Sequence, residues 1–127
     1  MWNSVHALTD PIDINSPFIT EWTTNPMPVD SEFIAHARRE ACAVPTRIWR
    51  ALLQEMYIAE YGRLSSTITV PTLILWGGQD PLFGAEDQQA LRDTIRDAEF
   101  ISYTKLGHNL QWEDPAGVAA MIAHFLN

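Results

Sequence analysis

The chain has 127 residues, of which 46% are hydrophobic and 19% charged, and its formal net charge is −8. This length suits one domain with a hydrophobic core, and the composition excludes an intrinsically disordered chain. With only eight Lys and Arg residues, the chain is not expected to bind nucleic acid or an anionic membrane surface, because both need a basic patch.

The sequence also disfavours a membrane-spanning protein and a secreted protein. No apolar stretch reaches the roughly 18 residues needed to span a bilayer, and the N-terminus lacks the basic start and long apolar core of a secretory signal. We therefore expect a cytoplasmic protein. The single cysteine, Cys42, rules out an internal disulfide framework and is interpreted as a small buried hydrophobe rather than a nucleophile.

The first half of the chain is predicted to be helical after an irregular start. Residues 1–29 contain several prolines among turn-forming residues, so we expect irregular backbone that nevertheless buries its apolar side chains. Asp30 is placed to cap a helix that runs to Cys42. Pro45 is placed to open a second helix that ends at Gly62.

Aromatic side chains are frequent in this half. We interpret them as core of the segment, although a cap over a ligand would use the same residues, and both interpretations stay open at this point. The residues are Trp2, Phe18, Trp22, Trp49 and Tyr57.

The pattern changes at residue 66, where strands are expected. Residues 72–76 form a continuous apolar run that stops at Gly77-Gly78. Such a run predicts a strand that is covered on both faces, as in parallel sheets. Residues 99–103 are predicted to form a second short strand. Because a helix is expected between them, the two strands should be parallel and joined by a right-handed crossover.

Two helices are predicted around the second strand. A polar helix is expected over residues 85–97, with Leu91 and Ile95 facing inward. Asp114 and Pro115 supply the cap and first position of the last helix. Its apolar stripe consists of Val118, Met121, Ile122 and Phe125.

Asp80 and His108 each follow one of the predicted strands. Either residue alone is consistent with an ordinary loop position. Functional groups of open parallel sheets, however, gather beyond the carboxyl ends of the strands. We therefore predict that Asp80 accepts the Nδ1 proton of His108, and that His108 removes a proton from a nucleophile or water through Nε2.

No metal or cofactor is predicted. His6, His36 and His124 are isolated from suitable partners, so no metal-ligand spacing is present. The chain also lacks a glycine-rich phosphate-binding loop, since Gly77-Gly78 alone is a weak signal.

The run Val-Pro-Thr-Leu-Ile-Leu-Trp-Gly-Gly-Gln-Asp-Pro-Leu at 70–82 resembles the penultimate strand and acid loop of the α/β-hydrolase fold. Leu106-Gly107-His108, followed by Glu113-Asp114-Pro115 and a closing helix, resembles the histidine loop and last helix of that family.

The resemblance implies a partial α/β-hydrolase fold of the α/β class, with two parallel strands, flanking helices and a helical cap segment. Residues 66–127 would be the C-terminal part of the core, and residues 1–65 are less specifically similar to the cap that many members insert. By the same resemblance, Asp80 matches the catalytic acid and His108 the catalytic base.

One element of the family pattern is missing. Members place the nucleophile before the acid, on a Gly-x-Ser-x-Gly elbow, and no serine of this chain is flanked in that way. The expected function is therefore that of a hydrolase for a small apolar ester or similar acyl substrate, which needs a nucleophile from elsewhere. A complementing N-terminal half or a second copy of the chain is the expected partner.

Two alternatives remain open. The chain can instead be a noncatalytic binding or assembly module that keeps the back half of the fold. It can also be a small enzyme that uses Asp80 and His108 with water alone, although no oxyanion donor can be named for it.

Overall fold

The computed structural model describes residues 1–127, which group by their contacts into two units. The first unit comprises Met1–Thr24 and Asp30–Ala59, and the second comprises Asn25–Val29 and Glu60–Asn127. The division into a cap-like segment and a core part at residue 66 stays a prediction.

The first unit contains the helices α1 (Trp2–His6), α2 (Pro17–Trp22), α3 (Ser31–Ala43) and α4 (Thr46–Ile58). The prediction of irregular backbone throughout residues 1–29 is therefore wrong. Proline here opens a helix instead of only breaking one.

Helix α2 shows the physical reason for that error. Pro17 occupies its first turn, where a missing N–H costs nothing. The Ser16 hydroxyl accepts a hydrogen bond from the Ile19 N–H at 3.5 Å, which caps the helix.

The predicted start of α3 is confirmed, whereas α4 departs from prediction at both ends. Asp30 caps α3 by accepting a hydrogen bond from the Phe33 N–H at 2.8 Å. Pro45 is the residue before α4, which ends at Ile58 because the backbone of the next residue is extended. Gly62 lies inside a separate short helix, α5 (Tyr61–Ser65).

The core of the first unit is aromatic and aliphatic. Phe18 and Trp49 are buried, and the Trp49 indole N–H donates to the Ala41 carbonyl at 3.0 Å. Phe18 and Trp49 therefore lie in the core as interpreted, and Trp2 and Trp22 pack against it partly buried, whereas Tyr57 is 73% exposed. The buried cluster consists of Val5, Leu8, Ile12, Phe18, Ile19, Ala41, Trp49 and Leu53.

The second unit contains a two-stranded parallel sheet, which confirms the predicted fold class. Strand β1 (Leu73–Gly77) pairs with β2 (Glu99–Tyr103) along their full lengths, and α6 (Ala85–Thr94) connects them. Only Ile74 and Gly77 of β1 are buried. The expected cover on both faces of β1 is therefore incomplete.

The remaining helices of this unit largely follow the predictions. Helix α6 ends three residues before the predicted position 97, with Ile95 buried just after it. A short helix that the sequence did not predict, α7 (Leu110–Glu113), precedes α8 (Pro115–Phe125). Asp114 caps α8 as expected, and Val118 is the buried residue of its stripe.

The longest helices, α3 and α4, have 13 residues each. None of the helices has the length and hydropathy required to span a membrane.

Candidate active site

The Asp80 carboxylate is held in place just beyond β1. Its Oδ1 accepts hydrogen bonds from the backbone N–H groups of Leu82 at 2.8 Å and Phe83 at 3.2 Å. The side chain is only 6% exposed. The carboxylate therefore has a fixed orientation, with Oδ2 left for another partner.

His108 supplies that partner. Its Nδ1 lies 3.0 Å from Oδ2 of Asp80, so the structure brings together the two residues predicted from the sequence. Because an ionised carboxylate only accepts hydrogen bonds, Nδ1 carries the proton of a neutral imidazole in this contact. This tautomer leaves the Nε2 lone pair available to a reacting group, and the side chain is 42% exposed.

Backbone contacts join the two loops that carry these side chains. The Gly78 N–H donates to the Tyr103 carbonyl at 2.8 Å, and the Gln79 N–H donates to the Leu106 carbonyl at 2.9 Å. A Cβ on Gly77 would lie 2.5 Å from the Leu106 carbonyl oxygen. The loops can therefore approach each other only because glycine ends β1.

A second carboxylate lies at the histidine loop. Both oxygens of Glu113 accept the Gly107 N–H, at 3.1 and 3.0 Å. Sequence reasoning treated this residue only as part of the family pattern and assigned it no role. The sequence shows an acidic residue six positions after Gly107, but this spacing indicates a contact only because α7 turns the chain back toward Gly107.

An apolar pocket of about 470 Å³ lies in the second unit, between α5 and α6. Phe83 borders this pocket, and its ring centroid is 5.8 Å from that of His108. No Lys or Arg lines it, and its acidic residue, Asp87, accepts a hydrogen bond from the Gly84 N–H. The lining is formed by Tyr61, Gly62, Ser65, Phe83, Asp87, Gln88, Ala90, Leu91 and Thr94.

Within the second unit, no hydroxyl is hydrogen-bonded to the His108 ring. The hydrogen-bond partner of the His108 ring is Asp80 alone. Cys42 packs against the core of the first unit, where burial raises the pKa of its thiol above the usual 9.0. A thiol with a raised pKa stays protonated near neutral pH and is a poor nucleophile.

The titratable side chains form no group of three or more suited to a metal ion. The geometry therefore presents an oriented acid and base, whose chemistry depends on what approaches Nε2.

Comparison with known proteins identifies sequence relatives. A family model described as alpha/beta hydrolase fold matches residues 7–115. A 2-hydroxy-6-oxononadienedioate/2-hydroxy-6-oxononatrienedioate hydrolase from Pseudomonas sp. is 32% identical over 68 residues, which are 54% of this chain and 24% of that protein. The protein of the same name from Cupriavidus pinatubonensis is 31% identical over 67 residues, which are 53% of this chain and 23% of that protein.

Solved structures resemble most or nearly all of the chain. A hydrolase from Pseudomonas aeruginosa PA01 has a TM-score of 0.79 at 16% identity, covering 99% of this chain and 49% of its own. A serine hydrolase involved in carbazole degradation, the CarC enzyme, has a TM-score of 0.64 at 22% identity, covering 86% of this chain and 45% of its own. At these identities the likeness shows the fold alone. The match spans about half of each structure and about a quarter of each curated relative.

Proposed function

This chain belongs to the α/β-hydrolase fold family, and we propose that it contributes the acid and the base of a nucleophilic triad to a hydrolase. The reaction would be hydrolysis of an ester or a similar acyl compound. The observation that carries this proposal is the 3.0 Å contact between Nδ1 of His108 and the anchored carboxylate of Asp80. A partly exposed histidine with its other nitrogen free is what a general base requires.

The steps follow from this geometry. Asp80 fixes the tautomer of His108 and stabilises its imidazolium, and Nε2 takes the proton of the attacking hydroxyl. The oxygen then bonds to the acyl carbon, and the alcohol leaves with the proton from Nε2. Water, deprotonated in turn by Nε2, attacks the acyl carbon of the acyl-enzyme. The bond to the nucleophile oxygen then breaks, the acid is released, and Nε2 returns its proton to that oxygen.

We place the nucleophile and the oxyanion-hole donors of this reaction in a segment outside these residues. Residues 1–127 contain no Gly-x-Ser-x-Gly elbow, which the family places before the acid. The Cys42 thiol, with its raised pKa, does not replace it. This assignment agrees with the match to about half of each similar structure.

The substrate proposed here is small and apolar. The pocket beside Phe83 has no cationic lining residue, so it favours an uncharged acyl or alcohol group. A 2-hydroxy-6-oxononadienedioate, named as substrate of the curated relatives, is the alternative.

Complementation tests the proposal. Alone, the chain should give no burst with p-nitrophenyl butyrate and no labelling by a fluorophosphonate. Coexpression with the half of the P. aeruginosa hydrolase that this chain does not match should restore turnover. His108→Gln should then lower kcat by at least about a thousandfold, since the base would be lost.

His124→Gln, an exposed histidine of α8, is the matched control and should keep the restored activity. Equal activity of His108→Gln, or a labelled serine within residues 1–127, would contradict the proposal. If the halves do not assemble, nitrogen-15 NMR of the His108 ring in the chain alone still tests the pair. Asp80→Ala should then remove the preference for the Nδ1–H tautomer.

The second candidate function, a noncatalytic assembly module, is favoured by one observation. The sheet has only two strands, so hydrogen-bonding groups at its edges are unpaired. Such a module would self-associate or bind a partner through this sheet.

A further inference from the structure

His108 makes few contacts of its own. Its ring has one hydrogen bond, to Asp80, and one ring contact, to Phe83, while 42% of the side chain is exposed. With so little packing, the ring is oriented mainly by its contact with Asp80, and that contact lasts only while the His108 backbone keeps its position. The orientation of the ring therefore depends on the residues that anchor its loop.

Those anchors converge on Glu113. The Gly107 N–H, immediately before His108, is bound by both Glu113 carboxylate oxygens. Immediately after His108, the Asn109 carbonyl accepts the N–H groups of Trp112 at 2.8 Å and Glu113 at 3.2 Å. The Glu113 side chain thus holds the backbone before the histidine, and its N–H is one of two that hold the backbone after it.

The fit at this contact is tight. A Cβ on Gly107 would lie 2.9 Å from Oε1 of Glu113 and 2.5 Å from Cδ of Pro26. Gly107 is buried, so its N–H needs a protein partner. A carboxylate supplies a charge-assisted hydrogen bond, which is stronger than one between neutral groups.

We propose that Glu113 is a positioning residue, which holds the Gly107 amide so that Nδ1 of His108 stays on Asp80. It acts through the backbone and is not assigned contact with substrate. The catalytic consequence rests on the proposed function, but the positioning itself does not.

The test measures the histidine directly in the 127-residue chain, at alkaline pH. Long-range proton–nitrogen-15 spectra report the tautomer of His108, and hydrogen exchange reports the Gly107 amide. Glu113→Ala should speed exchange of that amide by at least about tenfold, because a hydrogen bond to a charged group is lost. It should also shift the His108 signals toward those of Asp80→Ala.

Glu113→Gln retains one carbonyl acceptor and should largely keep the wild-type tautomer. The control is Glu86→Ala, which removes an exposed carboxylate in the first turn of α6 and should leave both signals unchanged. A wild-type His108 tautomer in Glu113→Ala would overturn the proposal.

If Glu113→Ala does not fold, Glu113→Asp decides, because its carboxylate is one methylene shorter. Faster Gly107 exchange with an unchanged His108 tautomer would then overturn the proposal. Since neither readout requires turnover, failure of the positioning role is distinguishable from failure of the proposed hydrolase activity.

Discussion

The two oxygens of the Asp80 carboxylate have different partners. Oδ1 accepts the backbone N–H groups of the turn, and Oδ2 meets His108. The two interpretations of this residue from sequence, a turn former and an acid that orients a histidine, therefore describe different oxygens of one side chain. The turn fixes the carboxylate, and a fixed carboxylate can orient an imidazole.

Gly77 gives the first prediction at the residue scale. Gly77→Ala should lower the free energy of unfolding by about 1–3 kcal/mol, because the new methyl group has no space against the Leu106 carbonyl. It should also weaken the His108–Asp80 contact by separating the loops. Urea unfolding and the His108 nitrogen-15 spectrum measure the two effects.

Gly62→Ala is the matched control for that substitution. A Cβ at Gly62 meets nothing within 4 Å, and the residue lies in α5. Alanine there should be neutral or stabilise by about 0.5–1 kcal/mol, since glycine is unfavourable inside a helix. Equal stability of the two alanine variants would contradict the role assigned to Gly77.

At the scale of elements, side-chain carboxylates bind the free N–H groups at the starts of several helices. Asp30 and Asp114 cap the helices that follow them, as predicted. The start of α4 is satisfied differently, by a residue distant in sequence. The Asp10 carboxylate accepts the Thr46 N–H at 3.0 Å and the Thr46 hydroxyl at 2.9 Å.

This contact predicts a pH-dependent stability. The hydrogen bonds from the Thr46 backbone and side chain lower the pKa of Asp10 below 3.8, with a smaller contribution from Arg50. Because the folded state binds the proton less readily, the stabilisation is present above about pH 3.8 and is lost as the pH falls through the lowered pKa. Asp10→Asn should therefore unfold at lower urea than wild type at pH 7, with a smaller difference at pH 3.

Glu55→Gln, an exposed acid within α4, provides the charge-matched control. It should unfold close to wild type at pH 7. A difference between wild type and Asp10→Asn that grows toward pH 3 would contradict the assignment, because the sign of the linkage would be reversed.

At the scale of the whole molecule, the small sheet leaves apolar surface uncovered. Val70, just before β1, is 66% exposed, and Leu64 of α5 is 56% exposed. Unpaired strand edges with exposed apolar side chains favour association with another chain. A second copy and a complementing half are therefore the proposed partners.

Sedimentation equilibrium from about 5 to 500 µM should accordingly show concentration-dependent association of the isolated chain. Val70→Lys should raise the apparent Kd on the order of tenfold, a cost of about 1.4 kcal/mol, by placing a charge near the edge. Leu126→Lys, with the same charge change at a residue that is 74% exposed, should not. A monomer at every concentration would contradict the prediction.

Sequence patterns were enough to predict the parallel strand pair, the helix caps at Asp30 and Asp114, and the placement of Asp80 and His108 beyond the strands. These features depend on short-range patterns: apolar runs, caps and the geometry of a crossover. The prediction of irregular backbone from the prolines of residues 1–29 failed at α2, because a proline can open a helix as well as interrupt one.

How the start of α4 and the Asp80–His108 pair are held emerges only from tertiary contacts. The contact of Asp10 with Thr46 spans 36 residues, and that of Asp80 with His108 spans 28. The pairing of Asp80 with His108 could be predicted because strand geometry brings their loops together, whereas no local pattern linked Asp10 to Thr46. The need for glycine at position 77 and the hydrogen bonds of Glu113 to Gly107 could likewise not be predicted from the sequence. Each arises where two turns approach within van der Waals distance.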